Sequence, residues 1–472
     1  MKITDKVKKA AVTVQIIEGS LNKFVDKAVT QELHIGYGTP VEKSGEGAGL
    51  SRRKFVLLMR KVVAIAKQNN IKSLALDWKN IRALLPDDAM DEAVGEVATI
   101  AFAMANYEHN TYKTKPKEGW NYVEEIAIAN APKDGWVGIR RGELIGAEVN
   151  ATRELSNTPG GDMTPKTLAA AAKAAVKGTK AAVKVFGRAE MQKLGLSAVL
   201  GIAKGSAEEP QFIVMEYWGA GKARSKPIVL VGKGVTFDTG GLNLKPGDHM
   251  YEMHMDMSGG AAVIHAVALA AKLKFATNVV GIIPAVENSP GQDAVRPGDI
   301  LTSLSGKTIE VLNTDAEGRV ILADGITYAK KYNPVAVVDV ATLTGAALVA
   351  LGTGASALMS NDPEFGDLLE ELGEQSGDYL WPFPLWEEYD EMIKGTFGDV
   401  PNISTASSSR YGGVIAGGKF LEVFAKELDC PWAHLDIAPK MTSTPGEQLA
   451  KGATGVPVRL LLALIESYAH QH

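Results

Sequence analysis

The feature that most constrains the fold is the alternation of short apolar runs with helix-patterned segments between residues 182 and 340. Runs at 182–186, 211–217, 227–231, 278–285 and 335–340 are strand-like and largely apolar, while 259–273 and 321–331 carry apolar residues at helical spacing. Strands of this kind are buried on both faces, so the alternation predicts an α/β fold with a mixed, largely parallel sheet flanked by helices. In such a sheet, functional groups gather beyond the carboxyl ends of the strands.

Residues 1–137 predict a smaller N-terminal α/β domain, with strands near 10–17, 72–77 and 122–129 and helices near 21–29 and 88–107. The run at 10–17 is broken by Thr13 and Gln15 and leads into Glu18, so it reads as a strand rather than a signal segment. Helical character over 142–155, followed by the breakers Asn157-Thr158-Pro159-Gly160-Gly161, predicts a linker helix over 138–157 ahead of a larger second domain at 158–472. Thr164 and Pro165 supply an N-cap and a first-turn proline for the next helix, up to Val176. The uncharged stretch 341–360 is diluted by Thr342, Thr344, Gly345, Gly352, Gly354 and Ser356, which argues for soluble core over a membrane span.

With 46% hydrophobic and 22% charged residues, the chain is neither disordered nor fibrous. Its single cysteine, Cys430, excludes internal disulfides and multi-cysteine metal sites, and a cytoplasmic setting is expected. Charge is uneven: residues 1–137 carry net +3 and the remainder −8. Neither value is a nucleic-acid footprint.

Three predicted strand ends are unusually polar. The run 227–231 leads into Gly232-Lys233-Gly234-Val235-Thr236-Phe237-Asp238-Thr239-Gly240-Gly241 and then Lys245. This segment lacks the phosphate-loop spacing, and its D-T-G tripeptide lacks the second copy and the all-β scaffold of an aspartic protease. Asp256 precedes Ser258-Gly259-Gly260 and a helix, where alone it reads as a charge favoured by the helix dipole. Asn313-Thr314-Asp315-Ala316-Glu317-Gly318-Arg319 follows a third run. If that segment is extended, Asp315, Glu317 and Arg319 face one side. Carboxylates brought this close repel unless a divalent cation neutralises them, and oxygen-rich ligation suits Mg, Mn or Zn. The eight histidines show no H-E-x-x-H spacing; His254 is beside Asp256, and His265 and His434 read as core.

Residues 313–319, N-T-D-A-E-G-R, resemble the signature of the leucyl aminopeptidase (cytosol aminopeptidase) family. The similarity extends through 231–246 (VGKGVTFDTGGLNLKP), 296–319, 341–346 (ATLTGA), 432–438 (WAHLDIA) and 451–461, covering roughly two thirds of the chain from about Arg153. The resemblance implies a two-metal aminopeptidase. Lys233, Asp238, Asp256 and Glu317 would hold one divalent ion and Asp238, Asp315 and Glu317 the other, with Zn or Mn expected and Mg or Co also compatible. A metal-bridging hydroxide would attack the peptide carbonyl. Lys245 would polarise that carbonyl, and Arg319 would anchor a bicarbonate acting as general base. Met253, Thr342, Gly345, Ala438 and Met441 would line a pocket favouring N-terminal Leu and similar apolar residues of peptide substrates. Relatives assemble as homohexamers. His254 and Pro439 depart from the common family pattern. The alternative is a non-catalytic or DNA-binding protein on the same scaffold; retention of all five metal positions together with Lys245 and Arg319 favours the enzyme.

Overall fold

The computed structural model describes residues 1–26, 31–37, 49–86, 88–222, 225–405 and 411–469. The chain forms two compact units, Met1–Asn150 with Ser443–Lys451, and Ala151–Thr442 with Gly452–His472. The division falls within one helix, Lys133–Asn157.

The first unit is built on strands β1 (Lys2–Thr4), β2 (Val12–Ile17), β3 (Asn22–Asp26), β4 (Gln31–Gly36), β5 (Ser73–Asp77) and β6 (Glu125–Ala129), ordered β1-β6-β5-β2-β4-β3. All neighbours are parallel except β3 and β4. The expected helix over 21–29 is therefore a strand over Asn22–Asp26, and residues 27–29 lie outside the described residues. Antiparallel pairing to β4, with Phe24 opposite Leu33, outweighs the weak helical spacing of so short a segment. A helix not anticipated from the sequence, Arg52–Gln68, is capped by Ser51 and buries Phe55, Leu58, Met59, Val62, Val63 and Ala66 at helical spacing.

The second unit carries a nine-stranded mixed sheet. Its strands are β7 (Ala182–Phe186), β8 (Gln211–Trp218), β9 (Ile228–Gly232), β10 (Gly234–Asp238), β11 (Asn278–Asn288), β14 (Ala336–Ala341), β15 (Ser356–Ser360), β16 (Leu380–Pro382) and β18 (Trp432–Asp436). Their order is β16-β15-β18-β14-β9-β11-β8-β7, with β10 pairing β11. A small sheet of β12 (Ile300–Thr302), β13 (Thr308–Glu310) and β17 (Val400–Pro401) stands apart. The expected mixed, largely parallel sheet is present: β9, β11, β14 and β18 run parallel, β10 runs parallel to β11, and β8 and β15 run antiparallel to their neighbours in this set.

Helix Ser258–Leu273 is buried through Ala271, which matches its nearly uninterrupted apolar and small residues. Helix Pro165–Ala175 starts as its sequence predicts, with Thr164 accepting from the Thr167 amide. The uncharged stretch 341–360 resolves into the end of β14, the short helix Gly345–Leu351 and β15. Among the described residues no helix is long and apolar enough to cross a membrane.

Candidate metal centre

The parallel strands of the large sheet decide where the polar loops go. β9, β14 and β18 point the same way, so Lys233 after β9, Thr342 after β14 and Ala438 beyond β18 emerge at one edge. Asp238 ends β10, whose register against β11 shifts between Val235 and Asp238; such an irregularity re-aims the side chain that follows it. Its Oδ1 accepts from the Gly240 amide at 2.9 Å and from Asn288 Nδ2 at 2.8 Å, leaving Oδ2 to face Lys245 Nζ at 2.9 Å.

Asp256 comes from the turn before helix Ser258–Leu273. Lys233 Nζ donates to Asp256 Oδ1 at 2.9 Å, lies 2.7 Å from Oδ2 and 2.9 Å from Glu317 Oε1, and donates to the Thr342 carbonyl at 2.9 Å. Lys245 Nζ also pairs with Asp315 Oδ1. Carboxylate oxygens of Asp238, Asp315 and Glu317 lie within 4.8 Å of one another.

Residues 315–319 reach this cluster by a different geometry from the extended one expected. Asp315 sits in a turn, and Glu317 is the first residue of helix Glu317–Ala329, which also holds Arg319 in its first turn. A helix start places consecutive side chains around a tight arc, so convergence comes from the turn rather than from period-two alternation. Gly318 is required here by close approach: a Cβ on it would stand 2.5 Å from Lys233 Cε and 2.7 Å from Nζ. Gly240 has φ +87, a left-handed conformation that lets the chain double back from Asp238 toward Lys245.

Burial and mutual repulsion dominate the electrostatics. Burial raises the Asp238 pKa, the Glu317 charge adds to it, and Lys245 and Lys233 pull the other way, leaving it above the usual range. Burial likewise raises Asp256 well above its ordinary value against the pull of Lys233, and it raises Asp315 against Lys245. Burial alone would lower Lys233 and Lys245, but the surrounding carboxylates outweigh it and hold both ammoniums charged above the ordinary lysine range. Lys233 can serve as a ligand only after losing that proton. The condition is that cations take over neutralisation of Asp238, Asp256 and Glu317.

The donor set fits divalent cations. Asp256 Oδ2, Asp315 Oδ1 and Glu317 Oε1 are buried and face the Lys233 or Lys245 ammonium, with no other hydrogen-bond donor among the described residues. Buried oxygens of this hardness, converging from three loops, form the kind of site that binds Mg, Mn or Zn.

Arg319 is buried, its Nε has no hydrogen-bond partner among the described residues, and burial lowers its pKa to about 10 against the favourable charges of Glu317 and Asp436. Thr342, expected as a pocket residue, touches Asp256: its Oγ1 lies 2.7 Å from Asp256 Oδ1 and 3.1 Å from the Asp256 carbonyl. Gly345 begins the helix after β14, and Ala438 and Met441 lie on the turn after β18, whose 3-10 segment packs on that helix. Met253 begins the 3-10 turn just ahead of Asp256. His265 and His434 are buried as expected, the latter pairing Nδ1 with Asp339 Oδ1 at 2.5 Å.

Supporting residues not singled out in the sequence include Asn288 and Asp436. Asn288 Nδ2 also donates to the Thr314 carbonyl at 3.0 Å, which ties the Asp238 strand to the 313–319 turn. Asp436 accepts from the Leu343 amide at 3.0 Å, Thr344 Oγ1 at 2.7 Å and the Ala438 amide at 3.2 Å, thereby holding the loop after β14 to the turn after β18. Both stand at the polar end of an apolar strand run, a signal visible in the sequence once strand ends are inspected for amides as well as for charged groups.

A mixed α/β sheet with buried carboxylates and lysines converging at its carboxyl edge defines a metallohydrolase type of site. Residues 150–462 match the cytosol aminopeptidase family, catalytic domain. A probable cytosol aminopeptidase of Azoarcus sp. (strain BH72) is 50% identical over 399 residues, covering 79% of this chain and 78% of that protein. One from Roseiflexus castenholzii is 42% identical over 416 residues, covering 87% of this chain and 84% of that protein. The solved structure of the bottromycin maturation enzyme BotP in complex with Mn superposes with a TM-score of 0.83 at 28% identity, covering 98% of this chain and 100% of that one. The chain belongs to the cytosol aminopeptidase family and is a hydrolase of the metalloexopeptidase type.

Proposed function

We propose that this protein removes N-terminal Leu and other apolar residues from peptides at a two-metal centre in the cytoplasm, working as a homohexamer. The observation that carries the reading is the convergence of Asp238, Asp315 and Glu317 oxygens within 4.8 Å, flanked by Lys233 and Lys245. Lys233, Asp238, Asp256 and Glu317 would hold one cation and Asp238, Asp315 and Glu317 the second, Zn or Mn being favoured. Such cations supply Lewis acidity and acidify a water enough for attack at neutral pH.

The chain's own groups do the rest. Thr342 Oγ1 and the Thr342 carbonyl hold Asp256 and Lys233 in place. Lys245, whose Nζ lies 2.9 Å from Asp238 Oδ2 and pairs with Asp315, is placed to donate to the scissile carbonyl oxygen as negative charge develops there. Arg319, with an unfilled buried Nε–H, would anchor bicarbonate as the proton acceptor. Met253, Thr342, Gly345, Ala438 and Met441 would surround the first side chain of the peptide. A pocket with so few charges disfavours ionic side chains, because a buried unpaired charge is costly.

The test is hydrolysis of an amino-acid anilide panel after chelation and refilling with Zn, Mn, Co or Mg. Activity should vanish on chelation, return with Zn or Mn, and favour Leu and Met over Glu and Lys anilides. Glu317→Ala should lose at least about 100-fold, more than removal of a supporting residue costs. Near-wild-type turnover by metal-loaded Glu317→Ala would overturn the assignment.

A further inference from the structure

A cavity of about 500 Å³ lies in the second unit, and its walls include Trp218, Lys222, Lys226, Pro227, Tyr328 and Tyr332. The topology places it at the opposite edge of the sheet from the metal centre. Pro227 precedes β9, whereas Lys233 follows it; Tyr328 is near the end of helix Glu317–Ala329, whereas Glu317 begins it. Thirteen helical residues span about 20 Å, so this cavity is no part of the peptidase site.

The charge of the cavity is unbalanced. Its one carboxylate among the described residues, Glu216, accepts from Lys184 at 2.9 Å and from Tyr332 Oη at 2.8 Å through the same oxygen. Burial would raise its pKa, but Lys184, Tyr332 and Trp218 outweigh that and keep it ionised. Glu216 is thus satisfied within the wall. Lys222, Lys226 and Lys331 have no carboxylate partner among the described residues. Lys222 Nζ lies 5.0 Å from the Trp218 ring centroid, and Lys331 Nζ donates to Tyr328 Oη at 3.3 Å at the edge of that ring.

The walls between these cations are aromatic and mutually braced: Trp218 and Tyr332 centroids are 6.4 Å apart, and those of Tyr328 and Tyr332 6.3 Å. The volume falls in the usual range for small-molecule sites. Three exposed ammoniums with no carboxylate partner among the described residues, set around braced rings, match a ligand that offers both negative charge and a flat π-face.

We propose that this cavity is a binding site for a small organic anion bearing an aromatic or heteroaromatic ring. The ammoniums of Lys222, Lys226 and Lys331 take the anionic group, and Trp218 and Tyr332 take the ring. The anionic group is either a phosphate, as in a mononucleotide, or a carboxylate, as in a blocked aromatic amino acid. Neither requires the metal centre, so this proposal stands or falls separately from the peptidase reading.

The test is calorimetric titration of the metal-loaded enzyme with adenosine 5′-monophosphate and with N-acetyl-tryptophan, using adenosine and inorganic phosphate as controls. At least one ring-bearing anion should bind saturably, about tenfold or more tighter than either control, and more weakly as salt rises. Preference between the two anions identifies phosphate or carboxylate as the recognised group. Lys222→Glu/Lys331→Glu should abolish binding while leucine anilide hydrolysis persists. Lys226→Glu alone should weaken it, which gives a second readout should the double variant fold poorly. No saturation by either anion, equal affinity for bare phosphate, or undiminished binding in the lysine variants would overturn the proposal; the last result would place the anion at the metal centre.

Discussion

Replacing Thr342 with valine separates the pocket role expected from the sequence from the support that its hydroxyl gives Asp256. The substitution keeps the shape and removes one hydroxyl, whose proton has Asp256 Oδ1 as its nearer acceptor at 2.7 Å. Thr342 is buried, so solvent does not replace the donor. A hydrogen bond to a charged group contributes roughly 1.5–3 kcal/mol, and each 1.4 kcal/mol is about a factor of ten in affinity. If Asp256 is a ligand, Thr342→Val weakens the cation it holds by about 10- to 100-fold, the range seen when partners of metal ligands are removed. The Lys233 contact to the Thr342 carbonyl is a main-chain interaction and survives. The assay is metal occupancy against buffered free Mn by equilibrium dialysis, with kcat and KM for a leucine anilide then measured at saturating Mn. The expected pattern is a shifted Mn curve that Thr342→Ser restores. If Thr342 only lines the substrate pocket, KM changes and the Mn curve does not. A shift below about threefold, or a serine variant that behaves like valine, refutes the role of the hydroxyl.

Two further perturbations probe the packing around the site. Gly318→Ala puts a methyl 2.5 Å from Lys233 Cε, where Asp256, Glu317 and the Thr342 carbonyl leave the lysine no alternative position. Activity should fall sharply and melting should drop by an overpacking cost of about 1–3 kcal/mol, while far-ultraviolet circular dichroism stays near wild type because alanine itself favours a helix; unchanged activity refutes the close-approach argument. Asp324, buried in helix Glu317–Ala329, is pushed up to about 7 by burial, against the amides of Leu304, Val199 and Ala198. Between its unfolded pKa of about 4 and 7 the folded state therefore holds more protons, and this residue's contribution to stability is lost as pH rises through that window. Asp324→Asn should remove that component from the stability-versus-pH curve measured by denaturant unfolding, and an unchanged slope between those values counts against the assignment.

The sheet of the second unit was legible because its strands are buried on both faces, which leaves few polar residues to blur the apolar runs. β7 begins and ends where its run does, and the helix after Thr164 starts at its capping residues. Edge structure was not legible: Asn22–Asp26 owes its strand conformation to β4, a partner its own five residues do not encode. The same division runs through the site. Lys233, Asp238, Asp256, Asp315 and Glu317 show in the sequence because loops after buried strands have little structural reason to carry charge.

What holds them depends on register. β14 pairs Val340 with Gly232, and Ile437 donates to the Ala341 carbonyl at 2.8 Å. Only that alignment carries the Thr342 hydroxyl and carbonyl to Asp256 and Lys233, and lets Asp436 collect the Leu343 amide, the Thr344 hydroxyl and the Ala438 amide. A one-residue slip would turn each of these side chains to the other face of the sheet, removing the supports while leaving every motif in the sequence intact. The proposed ligand positions are therefore written locally in three loops, whereas the fit of the cation they would hold is set by pairing between strands about a hundred residues apart.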